Sequence, residues 1–204
     1  MNPHPSSPKI VGIGGGIGSG KSTVCKILEI LRVPVYYSDA RARFLMENDT
    51  ELIESIKRLF GEQAYIEKKL NAPFISGKVF SSSELLQKLN AIVHPAVAID
   101  NEKWVKKHGD QVYLAKESAL LFETGIYQQS NYNVLVVSPL NLRISRIQER
   151  DGLTTQQILD GIDKQWTDEV KMKLADEIIH NDTIHSLIEQ TWSIHHKIID
   201  LWKK

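Results

Sequence analysis

Apolar positions along this chain follow two different periods, and the alternation between them predicts its architecture. Residues 9–14 (K-I-V-G-I-G) form a short, β-branched run that ends in glycine, as a buried strand does. After Gly20 the spacing changes. Val24, Ile27, Leu28 and Leu31 fall at i, i+3, i+4 and i+7, one face of a helix. V-Y-Y at 35–37 follows Pro34 as a second strand, and residues 40–46 read as helix. Asp49 can cap a further helix carrying Leu52, Ile53, Ile56, Leu59 and Phe60, with Gly61 just past its end. Residues 61–80, which contain Pro73 and Gly77, read as a loop or turn region. Ser81 and Glu84 have capping-box spacing and open a helix through Val93, which Pro95 is expected to break before a restart over residues 97–105. Residues 112–115 and 132–137 are candidate strands. Thr154 and Gln157 form a second capping box, opening a helix to about Gln165. Residues 177–179 suggest a last short strand, and 187–202 a closing amphipathic helix.

Five short strands alternating with helices predict an α/β fold, a five-stranded mostly parallel sheet covered by helices on both faces. Ligands of such sheets lie at the carboxyl ends of the strands, which directs attention to residues 14–22, 37–39, 116–118 and 138–139. Composition narrows the class without changing this picture. The chain has 204 residues, enough for one core without disulfide or metal support, and its single cysteine, Cys25, excludes an internal disulfide. Lys and Arg total 25, as do Asp and Glu, so net charge is zero and a broad nucleic-acid surface is not expected. No apolar run approaches membrane-spanning length, and residues 1–8 lack the charge and apolar core of a secretory signal. They read as a mobile tail, and the whole as a cytoplasmic protein.

The chemistry concentrates in Gly15-Gly16-Ile17-Gly18-Ser19-Gly20-Lys21-Ser22, which fits G-x-x-x-x-G-K-[ST] between a strand and a helix. Glycines let the backbone turn so that its N–H groups converge, and the positive end of the following helix completes an anion nest. Lys21 adds a cation for the β- and γ-phosphates, and Ser22 a hydroxyl for Mg²⁺. Nucleoside triphosphate binding follows. Asp39, just past the second strand, is either a helix cap, a carboxylate that takes the proton of an acceptor hydroxyl, or one that holds a Mg²⁺-bound water.

The stretch G-G-I-G-S-G-K-S-T at 15–23, followed by V-Y-Y-S-D-A-R-A-R at 35–43, resembles the dephospho-CoA kinase family. L-N-A-I-V-H-P at 89–95, L-L-F-E at 120–123, R-I-Q-E-R-D-G-L-T at 146–154 and A-D-E-I-I-H-N at 175–181 extend the likeness in order over nearly the whole chain. The resemblance implies a P-loop kinase that transfers the γ-phosphoryl of ATP to the ribose 3′-hydroxyl of dephospho-CoA, the last step of coenzyme A biosynthesis. It implies a core of residues 9–39, 109–142 and 177–204, a helical acceptor-binding segment over 40–108 and a lid over about 143–176. Gly16, Ile17, Gly18, Ser19, Gly20, Lys21, Ser22 and Thr23 would hold the nucleotide and Ser22 the Mg²⁺. Asp39 would be the acceptor-side base, Arg146 would reach the transferring phosphate, and Arg150 would be its lid partner. Two positions depart from the family's habit: Gly14 stands where threonine is common, and Tyr37 where the first acid of D-A-D is usual.

The remaining candidates read more plainly. Arg143 is expected to be a surface or lid charge, and Arg41 and Arg43 solvated helix charges. His94 reads as a buried, hydrogen-bonded core residue that the resemblance would draw into the acceptor site. Glu117 and Glu123 follow the third strand, where either could sit near Mg²⁺. The histidines lack zinc spacing, and the four tryptophans and Cys25 read as packing residues. A kinase of another small hydroxyl acceptor, such as a nucleoside or nucleotide, would share the loop and the arginines. A triphosphate switch would not fit, since N-K-x-D and a D-x-x-G after the loop are missing. Nothing in the sequence sets the oligomeric state.

Overall fold

The computed structural model describes residues 8–203, so most of the expected tail lies outside the described residues. The chain forms two compact units. One contains residues up to Tyr37 and from His108 onward; the other is Ser38–Lys107.

The first unit is built on β1 (Lys9–Gly15), α1 (Lys21–Ile30) and β2 (Val35–Tyr37), and resumes after the second unit with further strands and helices. The second unit runs α2 (Ser38–Asn48), α3 (Thr50–Phe60), β3 (Tyr65–Ile66), β4 (Lys69–Leu70), α4 (Ala72–Phe80) and α5 (Ser83–Lys107). The first then continues with β5 (Tyr113–Glu117), β6 (Tyr132–Val137), α6 (Leu140–Asp151), α7 (Thr155–Ile162), α8 (Asp168–Met172), β7 (Glu177–His180) and α9 (Leu187–Trp202). Its sheet has the order β2-β5-β1-β6-β7, and every pairing is parallel.

The near-continuous apolar runs of β1, β5 and β6 follow from burial on both faces. Val134 and Val136 of β6 pack with Val24, Cys25 and Leu28 of α1 and with Ile198 of α9. The alternate residues Leu135 and Val137 pack on the other face with Leu121, Phe122 and Met172. The strand order puts β1 at the centre of the sheet, and the period-two division gives it packed layers on both faces.

In the helical unit, Asp49 caps α3 by accepting from the Leu52 N–H at 3.0 Å, and Gly61 ends that helix at φ 85°. Leu52, Ile56, Ala64, Ile75 and Val93 form its core. The structure corrects three expectations here. Residues 61–80 are an antiparallel hairpin and a helix rather than a loop, with Asn71 capping α4 through the Phe74 N–H. The serine at the start of α5 is Ser82, which accepts from the Leu85 N–H, whereas the Ser81 hydroxyl donates back to the carbonyls at the end of α4. Pro95 does not break the helix, and α5 passes through it as 25 continuous residues. A proline in a helix removes one ladder bond, and packing of Leu89, Ile92, Val93, Ala96 and Val97 on the unit's core offsets that loss.

Candidate active site

The central strand β1 ends in the glycine loop. Gly20 holds φ 100° and ψ 18° at the N-cap of α1 and makes no side-chain cap; any Cβ there would run into the Asn181 amide. A helix start is where main-chain amides can serve an anion; here the Thr23 N–H donates to the Gly20 carbonyl at 3.0 Å, and no side chain caps the turn. Lys21 is 8% exposed. Its Nζ donates to the Gly15 carbonyl at 2.9 Å and the Gly16 carbonyl at 3.3 Å, so the ammonium lies over the loop's own backbone. Ser19 is buried, while Ser22 and Thr23 are exposed on the first turn.

A collar of side chains from later in the chain holds this loop. Arg143 Nε donates to the Ile17 carbonyl at 2.9 Å, and the guanidinium lies where a Cβ on residue 16 would be, which explains the glycine there. This overturns the reading of Arg143 as a surface or lid charge, for it is 7% exposed. The cause is topological. Because β6 pairs with β1, the first turn of the helix after β6 comes beside the loop after β1. Burial pulls the Arg143 pKa below its ordinary value, and the Asp168 carboxylate 3.7 Å away opposes that shift.

Arg146, nearly one turn further along α6, donates to the Ser138 hydroxyl at 2.9 Å and to Asn181 Oδ1 at 3.2 Å. Asn181 Nδ2 in turn donates to the Ser19 carbonyl at 2.8 Å. One amide thus links the arginine to the loop. Arg150 is directed elsewhere: its two bonds, at 2.8 and 2.6 Å, go to neighbouring Asp151. On the opposite side, Gln165 Oε1 accepts from the Ile17 N–H at 2.8 Å, and its Nε2 donates to the Ala119 carbonyl at 3.2 Å. Sequence reasoning assigned no role to Asn181 or Gln165. Asn181 carried a usable signal, since it directly follows the last strand of a parallel sheet. Gln165, a neutral amide in a linker, carried none.

The sheet edge next to the loop is equally ordered. Glu117 is 8% exposed at the end of β5, in register with Ile13 and Tyr37. Glu123 instead forms an ion pair with the wholly buried Lys171 at 2.8 Å and accepts from the Trp166 N–H at 3.1 Å. The ammonium is off-line for a hydrogen bond in that pair, and Glu123 Oε2 has no partner. Burial, the Glu29 carboxylate with its hydrogen bond, and Glu117 push the Tyr37 hydroxyl well above its ordinary pKa, so it stays neutral. Burial pushes the Cys25 thiol up as well, consistent with a packing role.

Asp39 lies in the first turn of α2, two residues after β2 ends, and is exposed. Within the helical unit Arg41 is not a solvated charge: it makes a two-pronged pair with Asp100, at 2.9 and 2.6 Å, and ties α2 to α5. Arg43 pairs along its own helix with Glu47. His94 is exposed on α5, against the reading of it as a buried residue.

A P-loop held between the strand ends of a parallel sheet fits many kinases, so comparison with known proteins decides among them. The profile of the dephospho-CoA kinase family matches residues 9–186. The chain belongs to the dephospho-CoA kinase family. It is 36% identical over 180 residues to the dephospho-CoA kinase of Bacteroides fragilis, covering 88% of each chain. With that of Chlorobium chlorochromatii it shares 34% over 200 residues and 94% of each chain. A solved structure from Thermus thermophilus superposes with a TM-score of 0.85 at 33% identity, covering 96% of this chain and 99% of the other. The dephospho-CoA kinase of Campylobacter jejuni shares the fold, with a TM-score of 0.66. As a dephospho-CoA kinase the protein is an ATP-dependent transferase that phosphorylates dephospho-CoA in coenzyme A biosynthesis. No helix among its described residues is long and apolar enough to cross a membrane.

Proposed function

We propose that the γ-phosphoryl of ATP passes to the ribose 3′-hydroxyl of dephospho-CoA, with Asp39 as the base and the glycine loop as the phosphate cradle. The observation that carries this reading is the loop itself, whose Gly20 start leaves α1 uncapped while Arg143, Asn181 and Gln165 fix its main chain. Such a preformed nest is suited to phosphoryl transfer, which depends mostly on positioning and charge stabilisation.

In this scheme Lys21 leaves the Gly15 and Gly16 carbonyls for the phosphate oxygens, which are stronger acceptors. Arg146, one bonded amide away from the loop, spreads the charge that develops on the γ-phosphoryl. The 3′-oxygen forms the new P–O bond as the bond to the β–γ bridging oxygen breaks. ADP leaves, and the hydroxyl proton goes to the Asp39 carboxylate. Ser22 would hold Mg²⁺. A hydroxyl, with phosphate oxygens and water, is the kind of hard oxygen donor that suits that ion. When bound, Mg²⁺ neutralises phosphate charge. Arg150, now paired with Asp151, is assigned to a lid of about residues 143–176, and residues 40–108 to acceptor binding. A cytoplasmic location accords with a chain having one buried cysteine.

Replacing the base tests the assignment. Asp39→Asn should leave ATP affinity intact while kcat falls roughly 10²–10⁴-fold. A variant turning over at nearly the wild-type rate removes Asp39 from the chemistry.

A further inference from the structure

Both main-chain polar groups of Ile17 are held by side chains from far along the sequence. Its carbonyl takes the Arg143 Nε–H, and its N–H is taken by Gln165 Oε1. The Gln165 side chain has a second end, for its Nε2 donates to the Ala119 carbonyl just after β5. Gln165 thus sits in the linker between α7 and α8 and ties the first turn of the glycine loop to the loop after the neighbouring strand. The chain just after Gln165 is itself pinned. The next residue, Trp166, gives its N–H to Glu123, Asp168 faces Arg143, and the buried Lys171 pairs with Glu123.

We propose that Gln165 is a positioning residue for ATP, setting the shape of the phosphate loop through Ile17 rather than touching the nucleotide. Two consequences follow from the bonding. The Ile17 N–H, expected from sequence to face a phosphate, is already committed, so Ile17 serves the site through its conformation. The glycine loop and the 163–167 linker are also energetically coupled: displacing the linker frees the Ile17 amide, and whatever fixes the loop fixes the linker by the same amount. Binding ATP and holding the linker down then favour each other. This rests on the P-loop as the ATP site, and not on the role of Asp39.

The test is calorimetric ATP binding to Gln165→Met, a near-isosteric change that removes both hydrogen-bonding ends, with no acceptor present. ATP Kd should weaken about tenfold, the size of one ordinary hydrogen bond. In steady state KM for ATP should rise likewise, while KM for dephospho-CoA stays within twofold. Amide hydrogen exchange gives a readout that does not require the methionine variant to fold. The Ile17 N–H should be protected in the wild-type protein and in Gln165→Glu, which keeps an acceptor. In a folded Gln165→Met it should exchange fast. An unprotected Ile17 amide in the wild type overturns the proposal. So does a Gln165→Met protein whose melting temperature falls while its ATP Kd stays within twofold, since that is packing alone. Because neither the calorimetry nor the hydrogen exchange involves the acceptor, an error in the assignment of Asp39 would leave those two outcomes unchanged.

Discussion

Position 14 has room for a hydrogen and little else. A Cβ there would press into the Phe122 ring and Leu121, so the space that a larger residue would need is filled by the L-L-F-E segment. The departure from threonine at this position therefore has a packing cause in this chain. Gly14→Thr should destabilise the protein by about 1–3 kcal/mol, the usual cost of overfilling a core. Phe122→Leu combined with it should restore part of that loss in denaturant melts. A Gly14→Thr protein as stable as wild type would mean that Phe122 is not what excludes the side chain. At this scale the sequence disclosed the loop residues well, because glycine, lysine and serine at fixed spacing have few other uses. It disclosed the clamps poorly. Arg143 and Arg150 look alike in sequence, yet one is buried on Ile17 and the other is exposed beside Asp151. Their difference lies in which turn of α6 follows β6, and that is a property of strand order.

The elements with a long period or a cap were legible. Leu187–Trp202 and Tyr132–Val137 coincide with their apolar runs, and the Thr154–Gln157 capping box opens α7 as its spacing indicates. The failures have specific causes. Strands of two residues, Tyr65–Ile66 and Lys69–Leu70, are too short to show alternation. The turn between them is made by Glu67 and Lys68, both at positive φ, where Asn-Gly would have announced a hairpin. Pro73 read as a loop residue but stands in the first turn of α4, a position proline tolerates well. Among the caps, Asp49 offers the cleanest test. Asp49→Ala should cost about 1 kcal/mol, read as a lower melting temperature, since it leaves the Leu52 N–H without its acceptor. Unchanged stability would show that water serves that amide as well as the carboxylate does.

For the whole molecule, the five strands of the main sheet and their parallel sense followed from alternation with helices, whereas the order β2-β5-β1-β6-β7 did not, because no local pattern states which strands are neighbours. That order puts β1 between β5 and β6, and so gathers Ala119, Arg143, Gln165 and Asn181 around one short loop. The collar is a consequence of the fold and was invisible before it. The central claim, that this loop delivers the γ-phosphoryl of ATP to dephospho-CoA, is tested most directly by following ATP consumption with and without dephospho-CoA and measuring the mass and position of the added group. Consumption should require the acceptor, and the product should bear one new phosphate on the ribose 3′-oxygen. ATP turnover independent of dephospho-CoA, or a product phosphorylated elsewhere, would contradict it.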